Sequence, residues 1–204
     1  MFTEFELATM AEQSVIKAAT QVLKQEFKEK EMQFLDLSDH DFLALAMMTP
    51  SIGIALSNGS VSFFEERALN KKARKLSKGG YFLEKDPVVH AMQFLIKNFK
   101  DWRSAFFGLL HTCMQETFDL QAVTADEGAS RSMSDTEFRL AIMRSPYALI
   151  RFIGTFFMED DQDIFSARSV LEVEHKAIHD IGEELGLTNI PIFNKICETT
   201  FHIR

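Results

Sequence analysis

The chain has 204 residues, 46% hydrophobic and 25% charged, with four Pro and nine Gly. That composition excludes a disordered chain and argues against a turn-rich β fold. A formal net charge of −8 makes the surface mostly anionic, which disfavours general binding to nucleic-acid phosphates.

In chain order, Thr3 caps a first helix expected to reach about Glu29, with Val15, Ala18, Ala19, Val22 and Phe27 recurring at helical spacing. The opening MFTEFELATMAEQ has two early acids and no basic region, unlike a signal peptide. Ser38-Asp39-His40-Asp41 is an acidic variant of a capping box that starts a second helix through Met48. Pro50 is expected to kink or interrupt it before the apolar stretch 51–57. Ser62-Phe63-Phe64-Glu65 has true capping-box spacing and opens a helix to Leu76, stopping near Gly79-Gly80. Gly59 supplies the preceding turn, and one or both of Phe63 and Phe64 are expected to anchor the first turn in the core.

Asp86-Pro87 begins the next helix, with Asp as cap and Pro at the first helical position. A long helix follows over about 101–119, with Trp102, Phe106, Leu109, Leu110 and Cys113 on its apolar side. Residues 121–134 read as a loop, Ser134 to Glu137 as another capping box, and Ser145-Pro146 as the cap of a helix through Phe157. After the acidic run 159–163, a helix over about 166–185, with Ser169 as a further candidate cap, ends at Gly186. A short helix over 190–200 closes the chain. The pattern predicts an all-α single helical domain of about eight or nine helices with no sheet. No run of 18 apolar residues marks a membrane span. The 20 Phe residues read first as core filling, with an apolar pocket or partner groove as the sharper reading.

An internal repeat adds to this. Shifted by 109 residues without a gap, LSNGSVSFFEERALNKKARKL lies over FSARSVLEVEHKAIHDIGEEL. Ser57 meets Ser166, Ser60 meets Ser169, Val61 meets Val170, Glu65 meets Glu174, Ala68 meets Ala177, Leu69 meets Ile178 and Leu76 meets Leu185. The match predicts two related halves, about 36–119 and 134–204.

Three features are candidates for chemistry. Glu172, His175 and His179 include the E-x-x-H spacing of di-iron bundles, but no second E-x-x-H is present, and a solvated amphipathic helix is the plainer account. The basic cluster Arg67, Lys71, Lys72, Arg74 and Lys75, followed by Lys78, lies toward a helix C-terminus. Cations there complement the helix dipole or meet an acidic partner or anionic lipid headgroups. Cys113 and Cys197 match no metal or redox spacing and read as free thiols in a reducing cytoplasm. No nucleophile elbow or phosphate-binding glycine loop is present.

Asn58-Gly59-Ser60-Val61-Ser62-Phe63-Phe64-Glu65 resembles the D-G-x-[IV]-S-x-x-E signature of the tellurite-resistance TerB-like family. Glu174, Ile178, Ile181 and Leu185-Gly186-Leu187 resemble that family's glutamate followed by a helix closing on L-G-L. The resemblance covers about residues 40–190. It implies an all-α, pseudo-duplicated, non-enzymatic cytoplasmic module of stress-response assemblies, with acidic clusters that bind a divalent cation weakly. Carried over, those clusters are Glu65 and Glu174, with Asp160, Asp161 and Asp163 needed to complete a site. The sequence departs from the family pattern where Asn58 stands for its aspartate and Ala167-Arg168 for its second D-G pair. The alternative function is a metal-dependent or cofactor-binding helical-bundle enzyme using Glu172, His175 and His179. A protein partner, peripheral membrane contact and a second copy of the chain are the partner classes in view.

Overall fold

A computed structural model describes residues 2–31, 36–79, 86–118, 147–156 and 166–204. The described helices are α1 (Glu4–Glu12), α2 (Ser14–Glu31), α3 (Asp39–Ala55), α4 (Phe63–Leu76), α5 (Pro87–Lys97), α6 (Phe99–Thr117), α7 (Tyr147–Ile153), α8 (Glu172–Glu184) and α9 (Pro191–Thr200). The fold is all-α. Among the described residues, the two three-residue strands β1 (Arg168–Val170) and β2 (Phe201–Ile203) form a small parallel pair. The expectation of no sheet is corrected to that extent. The pair joins segments more than thirty residues apart, too short to show any alternation in the sequence.

Helix α3 is the axis of the molecule. Residues 40 to 52 are all buried, and α1, α2, α4, α5, α6 and α8 pack around them. A helix apolar on all sides belongs in the centre of a core. Pro50 lies inside it, so the expected interruption does not occur. Proline removes one amide from the helix ladder, and the dense packing on every side of α3 holds it continuous through Ala55. Phe27, Phe42, Trp102 and Phe106 join α2, α3 and α6 through edge contacts, with Phe27 and Trp102 ring centroids 4.8 Å apart. Core filling therefore accounts for these rings.

The first helix is divided. Thr3 forms its capping box with Glu6, but Gln13 turns extended and its amide donates to the Met10 carbonyl at 3.1 Å. The break lets α1 fold back on α2. It also sets the buried face of α2, which is Ile16, Thr20, Leu23 and Phe27, while Val15 and Val22 (63% exposed) face outward. The expected Val15–Val22 stripe was thus one position out of phase.

The caps at Ser38 and Asp86 form where the sequence places them. Ser38 accepts from the Asp41 amide, and Asp86 accepts from the Val88 amide ahead of Pro87. The long central helix spans Phe99–Thr117, and the five apolar residues expected on its inner side are buried. The last long helix begins later than expected, at Glu172, because residues 168–170 are committed to the strand. Ser169 is consequently not a cap. The expected loop 121–134, the caps at Ser134 and Ser145, and the acidic run 159–163 lie outside the described residues. No described helix is long and apolar enough to cross a membrane.

Candidate functional site

The site begins with a local turn. A 3-10 turn over Leu56–Asn58 ends at Gly59, whose φ of 99° suits a residue without a Cβ. Asn58 accepts the Ser60 amide at 3.3 Å. Ser62 then caps α4: its hydroxyl accepts the Glu65 amide at 3.3 Å, and a Glu65 carboxylate oxygen accepts the Ser62 amide at 2.7 Å. At the matched position 109 residues later, Glu174 accepts the Leu171 amide at 2.6 Å. Leu171 has no hydroxyl, so the returning half of the box is missing there. The offset also aligns the first helical residues, Phe63 and Glu172.

The tertiary structure brings these two helix starts to one cleft. Ser62, Glu65, Ser169, Leu171 and Glu174 line it, with Arg168 and Arg204 beside them and Ile54, Phe156, Ile178 and Phe201 as apolar floor. Both α4 and α8 pack on α3, and each also packs on the helix that follows it. Glu65 and Glu174 therefore line one space. Each carboxylate, however, spends an oxygen on its own helix start, and Arg168 and Arg204 also line the cleft, Arg168 donating from its guanidinium to the Ser166 carbonyl at 3.2 Å. Hard cations require six or more oxygen ligands. Among the described residues, no group of three or more His, Cys, Asp or Glu is placed to hold a metal. Asp160, Asp161 and Asp163 lie outside the described residues.

The alternative set sits on α8. The rings of His175 and His179 meet edge to face with centroids 4.8 Å apart, and Glu172 is exposed on the first turn. Burial, then the charge of His175, holds the His179 imidazole below its ordinary pKa despite Asp180 and Glu198 nearby. Cys113 and Cys197 are free and buried, and burial pushes both thiols up to about 12, so neither is a ready nucleophile.

On α4 the expected anion-binding set divides. Arg67, Lys71, Arg74 and Lys75 are exposed, but Lys72 is only 3% exposed. Its ammonium donates to the Thr155 carbonyl at 2.7 Å and to the Ser51 hydroxyl at 3.1 Å. Position 72 shares the inward phase of Leu69, Ala73 and Leu76. The same phase overturns the expectation for the phenylalanine pair: Phe63 and Phe64 are 72% and 80% exposed, touching each other edge to face.

Two residues that the sequence places only in the cap of α3 also fix α4 in place. His40 Nε2 donates to the Leu76 carbonyl at 2.9 Å, and the buried Asp41 accepts the Lys78 amide at 2.9 Å. Adjacent polar residues opening an otherwise apolar helix were the available signal.

No family model, curated protein or solved structure matches the chain.

Proposed function

We propose that this chain is a non-enzymatic helical interaction module, of the kind the TerB-like resemblance implies, that holds a protein partner at the cleft between the starts of α4 and α8. The observation that carries this reading is the matched use of Glu65 and Glu174. Each accepts the amide of the residue three positions earlier, and both line the same cleft. Carboxylates engaged in this way build helix ends and shape a surface. The apolar floor with carboxylate, hydroxyl and guanidinium groups around it offers a polypeptide both burial and hydrogen-bond partners. Arg168 and Arg204 disfavour a cation in that space, so cation binding is not part of this reading. The stress-response assemblies associated with the family are where the partner is to be sought.

The test combines metal analysis of the purified protein with cross-linking capture by wild type and Arg204→Glu. The reading expects no stoichiometric transition metal and a specific protein captured by wild type. Arg204→Glu should lose that protein at an unchanged melting temperature. Stoichiometric iron or manganese that disappears in His175→Ala and His179→Ala would overturn it in favour of a helical-bundle enzyme.

A further inference from the structure

We infer that the outer face of α4 is a docking surface for an anionic lipid bilayer. Every exposed residue of this helix is a phenylalanine or a cation: Phe63, Phe64, Arg67, Lys71, Arg74 and Lys75. Phe63, Arg67, Lys71 and Arg74 follow one another at i, i+4, i+8 and i+11, and Phe64 and Lys75 flank that row. The acids of α4 lie off the face: Glu65 is turned to the cleft, and Glu66 accepts a hydrogen bond from Gln93 on α5. Helices α2, α6 and α8, by contrast, expose acids on their outer sides, among them Glu26 and Glu29, Asp101 and Glu116, and Asp180 and Glu183. In a chain of net charge −8, an all-cationic face is the one orientation of α4 that an anionic surface attracts.

The phenylalanine pair decides the class of partner. Both rings stand in solvent at one end of the cationic row. A bilayer interface takes aromatic side chains into the headgroup boundary while anionic headgroups neutralise the cations, so one surface satisfies both parts of the face. A rigid acidic protein would need a groove shaped to the convex outer side of a helix, whereas a lipid layer conforms to it. The face points away from the cleft, so its function and that of the cleft fail or succeed separately.

The test is co-sedimentation at low ionic strength with phosphatidylcholine vesicles, with and without phosphatidylserine. Wild type should bind only the phosphatidylserine vesicles and dissociate as salt is raised. Lys71→Gln should weaken binding about fivefold, and Phe63→Ser with Phe64→Ser at least about tenfold. Lys17→Gln on α2 should bind within about twofold of wild type. The altered side chains are exposed, so each variant should keep the wild-type melting temperature. In a Phe64→Trp variant, the added emission should shift to the blue on binding and be quenched by brominated lipid. Equal binding to both vesicle types, or none, overturns the proposal. So does full binding by the double serine variant together with displacement by soluble polyglutamate, which would assign the face to an acidic protein.

Discussion

The Lys72 ammonium donates to the Thr155 carbonyl at 2.7 Å, linking α4 to the turn after α7 across 83 residues of chain. The same ammonium reaches Ser51 on α3, so one buried cation ties three parts of the molecule. Lys72→Ala should destabilise by about 2–4 kcal/mol, because it leaves a cavity and takes the donor from a buried carbonyl. Lys72→Met keeps most of the stem and should cost about half as much. Urea denaturation of the two variants checks the order, and equal losses would show that the hydrogen bonds alone matter there.

Glu65 separates a helix cap from a cation site. Glutamine keeps an oxygen for the Ser62 amide but no charge, so Glu65→Gln should be mild. Glu65→Ala should cost on the order of 1 kcal/mol. Neither effect should change when excess Ca²⁺ or Mg²⁺ is added. A wild-type melting temperature that rises strongly with cation, and loses that rise in Glu65→Gln, would instead place a metal at the cleft.

Gly182 is where α8 meets α9. A Cβ built there would lie 2.4 Å from two ring atoms of Phe193, which is itself buried against Phe156. Gly182→Ala should therefore destabilise by about 1–3 kcal/mol, even though alanine is the better helix former. Adding Phe193→Leu should recover part of the loss in a double-mutant cycle. Strictly additive losses would mean that the ring moves aside freely.

Acid should weaken the fold in two steps. Burial holds the His179 imidazole below its ordinary 6.5, with His175 adding to the effect. For Asp39, burial raises the carboxyl pKa, but hydrogen bonds from Lys24 and Gln21 and the charges of Lys24 and Lys17 outweigh it. The result lies below the ordinary 3.8. Both groups bind protons more readily in the unfolded chain, so their stabilisation is present above the unfolded values and lost as pH falls. Melting temperature should start to decline as pH drops through 6.5 and again below 3.8. His179→Gln should flatten the first decline and Asp39→Asn the second.

The caps at Thr3, Ser38, Ser62 and Asp86, the positive φ of Gly59 and the end of α8 at Gly186 are all legible in the amino-acid sequence. Each depends on hydrogen bonds or backbone preferences within a few residues, so the local sequence suffices to determine it. So does the all-α class, which follows from sparse breakers and repeated helix starts. Tertiary structure decided what those neighbours cannot. It broke the first helix at Gln13, kept α3 whole through Pro50 and paired residues 168–170 with 201–203. It also chose which side of each amphipathic helix faces inward, turning Lys72 into the core and Phe63 and Phe64 out of it. That phase is set by what α3 and the turn at Thr155 offer to the facing helix. Such partners are distant in the chain, and burial energy depends on them rather than on the residue's own polarity.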